Sequence, residues 1–210
     1  MSLETRTFIS GQLQNNVYVV FDQHTLDAVV IDPTRADAHM LQFISENNLS
    51  LQQIWITHAH FDHISGVTGL INRFGLISAV TLHKLDVPLW ESGGGAKEFG
   101  IDFKAGQTPN HLLSNNDMLM LGTHQIHVLH TPGHSPGHVT YHSPDLGVAF
   151  CGDLIFYHGI GRTDFKDGDY DVLLESIRTK IFHLPKETKL LPGHGLSTTV
   201  QEEITSNLFI

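Results

Sequence analysis

The sequence is short of cysteine, of positive charge and of long apolar runs. Its 210 residues include one Cys, which excludes an internal disulfide and a cysteine-rich zinc module. Twelve Lys and Arg face 22 Asp and Glu, a formal net charge of −10, which argues against the basic face that a nucleic-acid binder needs. No apolar run approaches the roughly 20 residues that span a bilayer. Residues 1–11 lack the basic and apolar segments of a secretory signal, so we expect a cytoplasmic protein without a membrane or nucleic-acid partner.

Histidine, by contrast, is abundant. The chain contains 16 His, more than its 12 Lys and Arg together. With 40% hydrophobic and 16% charged residues, the composition is typical of a globular protein rather than a disordered or fibrous one. No linker or low-complexity stretch interrupts the sequence, so we predict a single domain over residues 1–210. The histidines are therefore the feature that a functional hypothesis must explain.

Strand-like and helix-like segments alternate along the chain. Short apolar or β-branched runs predict strands at residues 17–21, 28–31, 54–57, 79–82, 118–121, 125–130, 139–142, 148–151 and 189–191. Apolar residues at helical spacing predict helices at residues 35–46, 64–74, 170–180 and 199–206. The strands form two groups that each end in helix, which indicates an α/β fold of two βα halves packed as a sandwich with the helices outside. Residues 89–116, which contain three consecutive glycines, are predicted to be irregular.

Three imidazoles and a carboxylate lie within six residues directly after a predicted strand. In an extended backbone, side chains two residues apart project to the same side, so His58, His60 and Asp62 are expected to share one face. His63 follows where the next helix is predicted to begin. Such nitrogen and oxygen donors suit Zn²⁺, iron or manganese. The segment therefore predicts a metal site.

Further candidate ligands stand at the ends of other predicted strands. His134 follows the strand at residues 125–130, Asp153 follows the strand at 148–151, and His194 follows the last strand. Each is flanked by Gly or Pro, which allow close backbone approach and stiffen the position of a ligand. Because loops at sheet ends carry sites on rigid scaffolds, these residues are expected to join the first motif.

The order and spacing of these motifs resemble the metallo-β-lactamase superfamily. The match covers essentially the whole chain and implies a four-layer αβ/βα sandwich with a metal site at one edge. More narrowly, the run Thr-Pro-Gly-His-x-x-Gly-His at residues 131–138 and the run Gly-Arg-Thr-Asp at 161–164 resemble the glyoxalase II-like hydrolases. The Pro-Gly-His-Gly at residues 192–195 is similar to that of the short bacterial members of that group.

This resemblance implies a two-metal site and a hydrolytic reaction. His58, His60 and His134 are expected to hold the first metal, Asp62, His63 and His194 the second, and Asp153 to bridge the two. Zinc is the expected metal, with iron and manganese as alternatives, and Asp62 and Asp153 are the expected catalytic residues. A bridging hydroxide would attack a thioester such as S-lactoylglutathione. The leaving thiolate, whose thiol has a pKa of about 8.5, needs little help from a general acid.

The expected substrate is an anionic small molecule, a glutathione thioester. The resemblance implies that Arg162 binds a glutathione carboxylate, although an ion pair with Asp164 or Asp167 is an equal alternative. Asp164 stands where the glyoxalase II pattern has a tyrosine. The helical region with which glyoxalase II enzymes bind glutathione has no counterpart after His194. Residues 89–116 are therefore a candidate substrate wall, with a surface loop or an oligomer contact as the other interpretations. The oligomeric state stays open.

Other activities compete with thioester hydrolysis. Persulfide dioxygenases resemble this chain strongly and bind a single iron, here through His58, His134 and Asp153. A β-lactamase is less favoured, because the common zinc enzymes have Cys where this chain has Asp153. A binding module without metal is the remaining alternative.

The residues outside these motifs are expected to be structural. His138 is predicted to support the site and Cys151 to be a small buried apolar residue. Most of the other histidines are expected at the surface, solvated or hydrogen-bonded: His24, His39, His83, His111, His124, His127, His130, His142, His158 and His183.

Overall fold

The computed structural model describes residues 3–76 and 79–210. Met1, Ser2, Ile77 and Ser78, which fall within the predicted domain, lie outside the described residues. Two six-stranded sheets form the two halves of the fold. Three clusters of buried apolar side chains separate four layers, one between the sheets and one beneath the helices on each outer face. The predicted four-layer αβ/βα sandwich is confirmed.

The first sheet contains six strands in chain order. They are β1 (Leu3–Ser10), β2 (Asn15–Asp22), β3 (Asp27–Ile31), β4 (Ser50–Trp55), β5 (Val80–His83) and β6 (His111–Leu113). Strands β1 to β3 pair antiparallel, whereas β3 to β6 pair parallel. The parallel strands bring the carboxyl ends of β3, β4 and β5 to the same edge, where the first group of candidate ligands begins.

The second sheet mirrors the first. Its strands are β7 (Met118–Leu121), β8 (His124–His130), β9 (Val139–Ser143), β10 (Val148–Gly152), β13 (Lys189–Pro192) and β14 (Thr198–Thr199). Between β10 and β13 the chain forms a separate hairpin of β11 (Ile155–Phe156) and β12 (Gly159–Ile160). Their order is β14-β13-β10-β9-β8-β7, with β10 and β13 parallel. The ends of β8, β10 and β13 therefore supply the remaining candidate ligands.

Six α-helices complete the described part of the chain. They are α1 (Ala38–Glu46), α2 (Phe61–Ile64), α3 (Val67–Phe74), α4 (Val87–Glu91), α5 (Tyr170–Ser176), which continues as a π-helical turn at Ile177–Ile181, and α6 (Val200–Ser206). Buried residues of α1 and α3, including Met40 and Leu70, pack on the first sheet, and those of α5, such as Leu173, pack on the second. None of the helices within residues 3–76 and 79–210 is long and apolar enough to cross a membrane.

The structure corrects three predictions about the elements. The helix predicted at residues 64–74 is two helices that meet at Gly66, whose N–H donates to Pro33 O at 2.7 Å and where a Cβ would lie 2.6 Å from the backbone of Arg35. Strand β1 was not predicted, because most of its side chains are at least partly exposed and its sequence is largely polar. Residues 89–116 are not irregular throughout, since α4, a 3₁₀ turn at Ala96–Phe99 and β6 lie within or overlap them.

A side-chain cap defines the start of α5 beside the loop of His134. The carboxylate of Asp169 accepts a hydrogen bond from Val172 N at 3.0 Å, and the backbone N–H of Asp169 donates to Gly133 O at 2.8 Å. We expect Asp169→Ala to lower the free energy of unfolding by about 1 kcal/mol, because a backbone donor of the first turn loses its partner. Urea unfolding measures this value. Asp171→Ala, two residues further along the chain, is the control and is expected to change the free energy of unfolding by less than about 0.5 kcal/mol.

Candidate metal centre

The first motif leaves β4 as extended chain and then turns into a helix. His60 has the extended backbone of a helix N-cap, whereas Asp62 and His63 lie within α2. The prediction that Asp62 shares an extended face with His58 and His60 is therefore wrong in its geometry. The turn into α2 places Asp62 and His63 in a second cluster with His194, while the ring of His63 also lies 4.1 Å from that of His58.

The first cluster consists of three imidazoles. The ligand nitrogens of His58, His60 and His134 lie within 4.8 Å of one another. His60 Nδ1 and His134 Nε2 are only 2.8 Å apart, so both rings point at the same small volume. Within the described residues, Nε2 of His58 is buried and has no hydrogen-bond partner. A divalent cation is the ligand that such converging nitrogens accommodate.

The second cluster combines a carboxylate with two imidazoles. Asp62 Oδ2 lies 3.4 Å from His63 Nε2 and 3.3 Å from His194 Nε2. Asn15, at the start of β2, donates from Nδ2 to Asp62 Oδ2 at 2.8 Å and lies 3.3 Å from the Nε2 atoms of both histidines. The sequence offered no functional signal for Asn15, which precedes a predicted strand.

Asp153 faces both clusters. Its Oδ1 lies 3.5 Å from His63 Nε2, while Oδ2 lies 3.7 Å from His134 Nε2 and 3.6 Å from His194 Nε2. The neighbouring position 193 requires glycine, because a Cβ there would lie 2.2 Å from Asp153 Oδ1. The structure thus brings all seven predicted ligands together, with Asp153 in the position expected of a bridging residue.

The opposite ring nitrogen of four histidines is held by protein oxygen. His63 Nδ1 donates to Asp32 Oδ2 at 3.0 Å, His134 Nδ1 to Arg162 O at 2.8 Å, and His194 Nδ1 to Leu13 O at 3.0 Å. His58 Nδ1 likewise lies 3.0 Å from Thr57 Oγ1. Such bonds fix the tautomer and leave the lone pair of Nε2 directed into the clusters, as in metal-binding histidines.

Two buried carboxylates that the sequence did not single out organise the loops. Asp32 also accepts hydrogen bonds from the backbone N–H and the hydroxyl of Thr57, at 2.8 and 2.6 Å. Asp86 accepts bonds from Ala59 N at 2.9 Å, Ser135 Oγ at 2.8 Å and Gly137 N at 2.5 Å, so it ties the first motif to the loop of His134. Burial raises the pKa of Asp86, while these three hydrogen bonds oppose the rise.

His138 and Cys151 have the structural roles predicted for them. His138 is fully buried, its Nε2 accepts a hydrogen bond from Asp153 N at 3.2 Å, and its Nδ1 lies 3.0 Å from Thr131 Oγ1. It therefore positions the backbone of Asp153. Cys151 is fully buried in the core beneath α5. His83 and His124 are also buried, contrary to the expectation of surface positions.

Electrostatics favour neutral imidazoles in the first cluster and ionised carboxylates. Burial, reinforced by neighbouring imidazoles, holds the pKa of His58 well below its usual range, and burial beside His134 lowers the pKa of His60 to about 3. Burial alone raises the pKa of Asp153, but the adjacent His63 outweighs it and the carboxyl pKa falls well below its usual value. In the second cluster, burial alone would lower the pKa of His63, but Asp62 and Asp153 outweigh it and hold that pKa well above its usual value. Neutral imidazoles and ionised carboxylates are the metal-binding forms.

A cavity of about 770 Å³ opens over both clusters. Large apolar side chains contribute to its walls, and its cationic lining residues in the described chain are Lys97, Arg162 and Lys166. Arg162 forms a two-point ion pair with Asp164, with both contacts at 2.9 Å, and its guanidinium lies 4.5 Å from the centre of the Phe165 ring. The ion pair predicted as one alternative is therefore present, on a residue that also lines the cavity.

Four layers, with converging His and Asp side chains at one edge and a cavity above them, are the features of a metal-dependent enzyme. The family sequence model of the metallo-beta-lactamase superfamily matches residues 10–194, and the chain belongs to that superfamily.

Individual relatives cover nearly the whole chain. It is 35% identical to hydroxyacylglutathione hydrolase GloC of Haemophilus influenzae, over 94% of this chain and 93% of that protein. The crystal structure of the B3 metallo-beta-lactamase BLEG-1 is 35% identical and superposes with a TM-score of 0.91 over 98% of this chain and 99% of that one. The mitochondrial persulfide dioxygenase ETHE1 of mouse is 33% identical over 90% of this chain and 69% of its own length.

Proposed function

We propose that this protein is a dinuclear metal-dependent hydrolase of glutathione-type thioesters, with S-lactoylglutathione as the reference substrate. The observation that carries the proposal is the pair of ligand clusters, with Asp153 facing both. The similarity to GloC, which extends over 93% of that protein, supports the thioester as substrate class. His58, His60 and His134 would hold one ion, Asp62, His63 and His194 the other, and Asp153 would bridge them.

The residues present fit two divalent cations. Nε2 of His58 and Oδ1 of Asp153 are buried polar atoms without a hydrogen-bond partner among the described residues, a costly arrangement that a cation relieves. The donor set of imidazoles and carboxylates suits zinc, iron or manganese. When bound, two such ions supply a nucleophile by lowering the pKa of a water and supply charge that stabilises an oxyanion.

The side chains of this chain perform the other tasks. The hydrogen bonds from His63, His134 and His194 to protein oxygens keep the ligand set rigid, so little reorganisation accompanies the reaction. The cavity holds the thioester above the clusters, and Lys97, Arg162 and Lys166 offer positive charge to the carboxylates of a glutathione moiety. The thiolate leaves without a general acid, because its thiol has a pKa of only about 8.5.

The direct test is turnover by the metal-loaded protein. Hydrolysis of S-lactoylglutathione, followed by the loss of thioester absorbance, is expected to be much faster than hydrolysis of a chromogenic β-lactam. Turnover of the β-lactam but not of the thioester by protein with both sites filled would contradict the proposal.

A second candidate is persulfide dioxygenase activity, favoured by the similarity to the mouse enzyme. It would use one iron on His58, His134 and Asp153, the facial arrangement of two histidines and a carboxylate. The second cluster has no task in that reaction, and the chain spans 69% of that relative against 93% of GloC. Oxygen uptake in the presence of glutathione persulfide distinguishes the two candidates.

Arg162 is expected to contribute to binding rather than to the chemical step. We expect Arg162→Ala to raise KM for S-lactoylglutathione about fivefold with little change in kcat, because an exposed guanidinium contributes modestly to carboxylate binding. Arg178→Ala, which alters an exposed arginine outside the cavity lining, is the control and should leave KM unchanged. A fall in kcat with constant KM would contradict this role.

A further inference from the structure

The cationic residues that line the cavity over the clusters lie on one side of it. Its three cationic lining residues belong to segments that lie against the first cluster. The Phe165 ring, next to Lys166 in the chain, lies 4.9 Å from the His60 ring, and the guanidinium of Arg162 lies over Phe165. Lys97 lies two residues after Gly95, where a Cβ would lie 3.9 Å from the ring of His60. The cationic lining residues of the described chain therefore all belong to this side, where the acidic Glu98 and Asp167 also line the cavity.

The side next to His194 has a different character. Leu13, in the turn between β1 and β2, lines the cavity, and its backbone carbonyl accepts the hydrogen bond from His194 Nδ1 at 3.0 Å. The ring of Phe156 also lines the cavity, 6.4 Å from the His194 ring. Gly195 completes this side without a side chain. Leu13 is 51% exposed, a large apolar group that a ligand in the cavity would cover.

We propose that Leu13 and Phe156 form an acyl-binding subsite that selects thioesters with apolar acyl groups. The inference rests on the proposed thioester hydrolysis and specifies which substrates it favours. A thioester places its carbonyl over Asp153, between the two clusters, so its two arms extend to opposite sides. The carboxylate-bearing thiol arm pairs with the cations near His60, which leaves the acyl arm against Leu13 and Phe156.

Two selectivities follow from this arrangement. An apolar acyl chain is favoured because each methylene that is fully buried contributes about fourfold in binding. An acyl group with a terminal carboxylate is disfavoured, since burying that charge against Leu13 and Phe156 is costly and the described residues offer no cationic side chain on this side. The small hydroxylated lactoyl group falls between these extremes.

A series of glutathione thioesters tests the selectivity. We expect kcat/KM to rise at least tenfold from acetyl to hexanoyl, and the succinyl thioester to fall below the acetyl one. In Leu13→Ala, the hexanoyl-to-acetyl ratio of kcat/KM should drop about tenfold. Leu112→Ala, a Leu of β6 that is 46% exposed and does not line the cavity, is the matched control and should keep the wild-type ratio. A wild-type ratio near one, or an unchanged ratio in Leu13→Ala, would overturn the proposal.

Binding provides a readout that does not depend on turnover. S-hexylglutathione and S-methylglutathione are thioethers that the protein cannot hydrolyse, and calorimetry gives their Kd values. The hexyl compound is expected to bind at least tenfold more tightly, and Leu13→Ala to remove most of that difference. If thioesters are cleaved without preference and both thioethers bind equally, the acyl subsite is wrong and the proposed function stands. If the hexyl compound binds tightly but no thioester is cleaved, the proposed function is wrong and the apolar subsite stands.

Discussion

Asp153→Asn is expected to lower kcat/KM for thioester hydrolysis by about 10³-fold or more. The substitution keeps the shape of the side chain but removes a carboxylate that faces both clusters, at 3.5–3.7 Å from three ligand histidines. A bound metal is worth several kcal/mol of transition-state stabilisation, and each 1.36 kcal/mol corresponds to about a factor of ten in rate. Steady-state kinetics with S-lactoylglutathione, together with the metal content of the variant, measure the effect.

A matched carboxylate provides the control. Asp167 is exposed and lines the same cavity without belonging to either cluster, so Asp167→Asn should change kcat/KM by less than about threefold. If Asp153→Asn retained more than a tenth of the wild-type activity, or if both variants lost activity equally, the assignment of Asp153 as the bridging residue would be wrong.

The second large effect concerns stability. We expect Asp86→Ala to lower the free energy of unfolding by about 3–5 kcal/mol, because Ala59 N, Ser135 Oγ and Gly137 N all lose their acceptor. Each buried donor left unpaired costs about 1–3 kcal/mol. For a chain of this size, 1 kcal/mol corresponds to about 2–4 °C in Tm, so the melting temperature should fall by roughly 6–20 °C.

An exposed acidic residue provides the control for Asp86. Asp102 is exposed, and Asp102→Ala is expected to change stability by less than about 0.5 kcal/mol. Urea unfolding of the metal-depleted proteins isolates the packing effect from the binding of ions. A loss below about 1 kcal/mol for Asp86→Ala would show that Asp86 does not hold the two loops together.

The sequence predicted which side chains would lie together better than it predicted their surroundings. Residue type and position after a strand were sufficient to place His134, Asp153 and His194 beside the first motif, because sheet ends meet at one edge. Asp32 and Asp86 were missed because their partners are distant in sequence, Gly137 lying 51 residues beyond Asp86. No pattern in the neighbouring sequence indicates such a contact.

Local geometry was the other source of error. The segment after β4 carries alternating His and Asp, a pattern that is equally compatible with continued extension and with a turn into a helix. The hydrogen bond from Phe61 N to Gly94 O, 33 residues away in the chain, accompanies the start of α2. A pattern read from neighbouring residues cannot indicate a contact over this distance in the chain. The predicted helix at residues 64–74 failed for the same reason, since the break at Gly66 depends on its fit against Arg35.

The number of metal ions per chain tests the central claim most directly. Elemental analysis of wild-type protein and of His194→Ala, after loading with zinc or iron and removal of unbound metal, should give about two ions for the wild type and about one for the variant. The loss of the second ion should abolish most of the thioester hydrolysis. One ion per wild-type chain, unchanged in His194→Ala, would contradict the two-metal site and favour the mononuclear dioxygenase instead.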